Sequence, residues 1–157
     1  MTIARRYLYE TADAVRLGAL ANASWRPLDE LVGKLVREER YHLMHVGLWL
    51  ERLATTRGKP RDRLIAALET LGPDSGTVFT PIPGEQALLD AGILQHPMAE
   101  LEHEWRASLT PTFERLGLTP PPPTRDPAGG RTDHGAAFDW LHGEFTAVRR
   151  SHPGATW

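Results

Sequence analysis

Leu28, Val32, Leu35, Glu39, His42, Val46, Trp49 and Leu53 recur at alternating spacings of four and three residues, which is the periodicity of one face of a packed α-helix. No strand reading accommodates a run of this length. A matching seam precedes it, Ile3, Tyr7, Glu10, Ala14, Leu17 and Ala21. The turn between them, Asn22-Ala23-Ser24-Trp25-Arg26-Pro27, is short enough to make the two helices antiparallel neighbours, so Glu10 comes opposite the middle of the second helix. There Glu39 and His42 interrupt an otherwise apolar face. An unpaired buried carboxylate costs several kcal/mol, so a cation, a hydrogen-bond network or a metal must answer it.

A Glu from one helix together with a Glu-x-x-His from its neighbour is half of the carboxylate-bridged di-iron or di-manganese site of ferritin-like bundles. Glu10, Glu39 and His42 are therefore the candidate metal half-site. The competing reading is a structural acid-imidazole network, or the relic of a metal site. Under that reading, losing Glu39 alone leaves a buried His42 without its acceptor, at a cost of roughly 1–3 kcal/mol. Glu38, Tyr41 and His45 lie one position round the helix, either as partners that orient His42 or as boundary polar groups. The spacing recurs in Glu100-Leu101-Glu102-His103, preceded by Glu69. That pair lies opposite the Met98, Leu101 and Trp105 stripe, so it is expected to face water.

The remaining chain reads as helices broken by glycine and proline. The expected elements are a first helix from Thr2 to Ala21, a second from Pro27 to Arg57 and a third from Pro60 to the Gly72-Pro73 break. Loop or short turns follow to Pro83, then a short helix from Glu85 to Ala91 and a longer one from Pro97 to Leu116, which Pro111 bends near its end. A Pro/Gly-rich segment, about 117–131, is expected to be an extended, flexible spacer, and a last helix from Asp133 to Ser151 presents Phe138, Leu141, Phe145 and Val148. His134 is expected to open that helix beside a capping Thr132 or Asp133. The fold class is all-α, a partial ferritin-like helical bundle of about five helices in one domain over 1–157.

Composition removes whole classes of function. There is no cysteine, which excludes disulfides, zinc-thiolate sites, iron-sulfur clusters and thiol nucleophiles. With 18 basic and 20 acidic residues and a net charge of −2, no extended basic surface is available for nucleic acid. No apolar run approaches the roughly 20 residues that span a bilayer, and the start lacks the apolar core of a secretory signal. A cytoplasmic chain is expected. Neither a nucleophile-elbow serine nor a phosphate loop is present.

The runs Thr2-Ile3-Ala4-Arg5-Arg6-Tyr7, Arg37-Glu38-Glu39-Arg40-Tyr41-His42-Leu43, Trp49-Leu50-Glu51-Arg52-Leu53 and His152-Pro153-Gly154-Ala155-Thr156-Trp157 resemble the PaaC family. These are ferritin-like subunits of the multicomponent phenylacetyl-CoA monooxygenase, a ring 1,2-epoxidase. The resemblance implies a bundle subunit that packs against the catalytic di-iron subunit and supports it, with electrons from a separate reductase. In some members the position matching Glu39 is not a carboxylate, and here it is Glu. The family's chains extend further N-terminally, so the expectation is either a shortened member or a bundle completed by another chain.

Two functions follow as expectations. One is a non-catalytic scaffold subunit of a phenylacetyl-CoA oxygenase-like complex in phenylacetate degradation, partnered by a catalytic di-iron oxygenase subunit, a second copy of itself, or both. The other is a di-iron or di-manganese carboxylate protein that assembles its site in a homodimer from two copies of Glu10, Glu39 and His42.

Overall fold

The computed structural model describes residues 1–81, 83–123 and 134–156. It is an all-α bundle of the ferritin-like kind, in the order α1 Thr2–Leu20, α2 Arg26–Thr55, α3 Lys59–Ser75, a 3-10 turn Gly76–Phe79, α4 Glu85–Asp90, α5 Met98–Leu116 and α6 Ala136–Ser151. No strand occurs among the described residues.

α1 and α2 lie side by side as their seams require. Asn22 takes a positive φ of 62° and its backbone N–H donates to Asp29 Oδ1 at 2.8 Å, fixing the turn. Ser24 ties that turn to the segment that follows α4, its N–H donating to Gly92 O at 2.9 Å and its hydroxyl to Ala91 O. The core fills the space between α1, α2, α3 and α5, where Trp105, Phe79, Phe113, Leu50, Leu101 and Leu109 are the large side chains at its centre. Trp105 packs on Phe79 with ring centroids 5.5 Å apart, and its indole N–H donates to Thr11 Oγ1 at 2.9 Å. A buried indole needs such an acceptor.

α5 buries the whole expected stripe of Met98, Leu101, Trp105, Leu109 and Phe113. Gly117 ends it in the left-handed region, φ 60°, and Leu118 N–H returns to Phe113 O at 2.9 Å, the Schellman arrangement with its buried apolar residue after the glycine. Arg61 closes the same end of the bundle. Its guanidinium donates to Ala54 O, to Leu116 O at 3.2 Å and to Gly117 O at 2.8 Å, carbonyls at the C-terminal ends of α2 and α5.

Gly72-Pro73 does not break α3, which runs on to Ser75. Proline costs one backbone bond here, but the helix has only two residues left. Gly72 is buried because Pro121 and Pro122 lie against it, the Cδ of Pro122 standing 3.1 Å from where a Cβ would be. Arg106 holds those prolines by donating to Pro121 O at 2.9 Å and Pro122 O at 2.7 Å. The first part of the proline-rich segment is thus laid along the bundle. The Asp126-Pro127-Ala128-Gly129-Gly130 stretch, the Thr132-Asp133 cap expected for the last helix, and Trp157 fall outside the described residues. α6 begins at Ala136 and buries none of its residues.

Candidate functional site

Buried residues on α2 are Val32, Glu39 and Val46, seven apart, and then Leu50 and Ala54, so in its first two thirds the covered face is narrower than the full seam. Glu39 lies in the middle of that face. On α1, Glu10 falls between the buried Tyr7, Leu8 and Ala12. Packing the two helices brings the carboxylates together, and Glu10 and Glu39 are 5% and 7% exposed.

His42 completes the cluster. Its Nδ1 lies 3.3 Å from Glu39 Oε2 and 3.7 Å from Glu10 Oε2, and one ligand atom from each of the three residues lies within 4.8 Å of the others. Its own position departs from expectation: the side chain is 52% exposed, so it is a rim residue, not a core one. Leu35 and Trp49, its seam neighbours, are exposed as well, at 37% and 40%. These three sit on the flank of α2 that the described residues leave uncovered.

Arg6 was not expected at this site. One turn before Glu10, it pairs with Glu10, so one buried carboxylate already has a cation. An Arg four residues from a Glu on a helix is a readable signal; attention to the seam alone passes over it, since Arg6 lies beside the seam. Glu39 has no such partner. Its Oε1 is buried without any hydrogen bond, and its carboxyl is pushed up to about 7 by burial first, then by a hydrogen bond to Glu10 and the charge of Glu10, with His42 partly offsetting the rise. Burial and the adjacent carboxylate both disfavour the ionised form of Glu39. Around them a cleft of about 530 Å³ is also lined by Arg5, Tyr9 and Asp13.

Glu38, Tyr41 and His45 are exposed and none makes a hydrogen bond to His42, whose polar neighbours are Glu39 and Glu10. The second Glu-x-x-His faces water as expected. Glu100, 67% exposed, lies 3.4 Å from His96, while His103 and Glu69 are exposed too. Among the described residues, Glu10, Glu39 and His42 form the one group suited to a metal. Donor chemistry fits half of a carboxylate-bridged centre, with an orphaned buried oxygen to offer, and the described residues supply no second half.

A family model described as Phenylacetic acid catabolic protein matches residues 1–157. The chain belongs to this family. Among curated proteins it is similar to the C component of the 1,2-phenylacetyl-CoA epoxidase of Escherichia coli (strain K12), with 25% identity over 157 residues, 99% of this chain and 63% of that relative. It therefore spans less than two thirds of the relative's length. In this member of the phenylacetic acid catabolic family, the α1–α2 pair carries Glu10, Glu39 and His42. Among the described residues, no helix is long and apolar enough to cross a membrane.

Proposed function

We propose that this chain is a scaffold subunit of an oxygenase complex acting on phenylacetyl-CoA, a cytoplasmic helical partner that supports a catalytic di-iron subunit without performing the oxygen chemistry. The observation that carries the non-catalytic part is the Arg6–Glu10 pair, because a guanidinium already supplies the positive charge that a metal would bring. Family membership supports the pathway, and the similar protein's being one component of an epoxidase supports the place in a complex. The second half of α2 supplies a surface for a partner, with Met44, Leu48 and Trp49 at 59%, 65% and 40% exposure; adjacent exposed apolar side chains of this size mark contact surfaces.

Co-expression with a catalytic di-iron subunit of the same family tests it. The expected result is a stable complex that is lost on Leu48→Asp, with less than about a tenth of an equivalent of iron or manganese in the isolated chain after reconstitution. Failure of the two chains to associate, or stoichiometric metal in the isolated chain, overturns it.

The unpartnered Oε1 of Glu39 favours one second reading, a metal site shared by two copies. Glu10, Glu39 and His42 from each copy would hold iron or manganese, donors that suit those ions, and the bound metal would supply redox chemistry toward dioxygen. The chain's own part would be to release the proton held at Glu39 and to turn Arg6 away from Glu10. Melting curves with and without chelator separate the readings. A chelator-sensitive melt supports the metal site and an insensitive one the scaffold.

A further inference from the structure

The donors that meet between α1 and α2 are not equally free. Glu10 Oε1 is held by the guanidinium of Arg6, four residues back on the same helix. Glu39 Oε1 is buried without any hydrogen bond, and Glu39 Oε2 lies 3.3 Å from His42 Nδ1. α2 therefore brings a carboxylate and an imidazole with no guanidinium on them, whereas α1 brings its carboxylate with a cation already attached.

That difference has a chemical consequence. A carboxylate oxygen in a charge-assisted bond to a guanidinium has its lone pairs committed. A divalent ion held by Glu10, Glu39 and His42 must displace that guanidinium or sit beside its charge, and near a protein surface like charges repel about four times as strongly as in bulk water. Arginine keeps its proton at every working pH, so deprotonation cannot clear Glu10; only movement or replacement of the side chain can. Nothing else ties Arg6 down in this way: its side chain is 47% exposed, and among the described residues its one ion pair is with Glu10.

Two neighbouring arginines show that position, and not charge alone, sets Arg6 apart. Arg5 lines the same cleft and is exposed, with no ion pair among the described residues. Asp13, also at the cleft, is held by Arg16 at 3.2 Å, but it lies outside the group whose donor atoms come within 4.8 Å of one another. Of Arg5, Arg6 and Arg16, Arg6 alone holds a member of that group.

We propose that Arg6 excludes divalent cations from the cluster: with arginine at position 6 the chain does not take up iron or manganese, and a neutral side chain of similar length there turns Glu10, Glu39 and His42 into a cation site. The inference rests on reading the cluster as a metal half-site, and it deepens the scaffold reading by naming the residue that keeps this chain free of metal. Glutamate and imidazole donors suit Mn²⁺ and Co²⁺ as probes.

Wild type, Arg6→Gln, Arg6→Met, Arg6→Lys and Arg5→Gln are titrated with each ion, read by calorimetry and by the visible absorption of bound cobalt. Arg6→Gln is expected to bind roughly tenfold or more tighter than wild type, with a melting temperature that rises with the ion and falls back with chelator. Arg6→Met, a second neutral side chain, is expected to do the same, so the result does not hang on the folding of one variant. Adding Glu39→Gln to Arg6→Gln is expected to abolish binding with unchanged circular dichroism. Arg5→Gln, which removes the same charge from the same cleft, and Arg6→Lys, which keeps a cation beside Glu10, are expected to behave as wild type. Folded Arg6→Gln and Arg6→Met that bind no tighter than wild type overturn the proposal. So does an equal gain in Arg5→Gln, which would make the effect one of net charge. Failure of the chain to associate with a catalytic subunit bears on the scaffold reading alone, and neutral variants that bind no ion bear on this inference alone.

Discussion

Arg6 pairs with Glu10, one turn along its own helix, whereas Glu39 across the interface has no guanidinium, only the half-exposed His42 beside its Oε2. Two buried carboxylates a hydrogen bond apart are thereby made unequal. The guanidinium lies against Glu10, while burial and the neighbouring Glu10 raise the Glu39 carboxyl.

That inequality sets a pH dependence. In the folded chain the Glu39 carboxyl titrates at about 7 against an ordinary 4.5, so between those values the folded state holds a proton that the unfolded state has released. Stability from this group is complete below the ordinary value and declines as pH rises toward 7. Glu39→Gln, which keeps a donor toward Glu10, is expected to remove a decline on the order of 2 kcal/mol. Denaturant titrations of both proteins from pH 4.5 to 8 measure it, and parallel slopes would refute the assignment.

The exposure of His42 reverses the effect expected for losing Glu39 alone. With the imidazole half in water, Glu39→Leu strands no buried group; it removes an orphaned oxygen and a costly charge. A gain of about 1 kcal/mol is expected at pH 8, shrinking toward zero at pH 5. Adding His42→Leu should change little. A loss of stability in the single variant at pH 8 would show that the pair stabilises the fold.

Thr11 is the acceptor for the fully buried Trp105 indole. Thr11→Val keeps the shape and deletes the acceptor, so a loss of roughly 1–3 kcal/mol is expected, with Thr11→Ser retaining most of the stability. Thermal or urea unfolding of the pair decides it.

Helix-interior glycines provide an internal contrast. Gly33 on α2 has nothing within 4 Å of an added Cβ, so Gly33→Ala is expected to stabilise by about 0.5–1 kcal/mol. Gly72→Ala drives a methyl toward Pro122 at 3.1 Å and should destabilise by about 1 kcal/mol or more. Equal gains at both positions would mean that the prolines do not rest on α3.

Periodicity made α1 and α2 readable to within two residues at each end, because a four-three spacing states which residues share a face. It does not state whether the chain supplies a cover for that face, and this is why Leu35, His42 and Trp49 read as buried and are not. The acid pair was legible because Glu10 and Glu39 fall on the covered part of the two seams. Arg6 escaped because its partner is local and its position is off the seam. Gly72-Pro73 misled because dipeptide chemistry predicts a break, whereas the cost of one lost bond is small near a helix end that a proline-rich segment packs against.

The guanidinium of Arg61 gathers carbonyls from the ends of α2 and α5, while the α2–α3 turn itself, Thr55 to Lys59, is exposed throughout. The turn itself buries no apolar side chain, and the Arg61 hydrogen bonds and the Glu51–Arg115 pair at 3.0 Å tie the helix ends beside it. Loss of Arg61 is expected to let this end of the bundle fray while the Trp105 core stays shut, so that amide exchange there runs ahead of global unfolding.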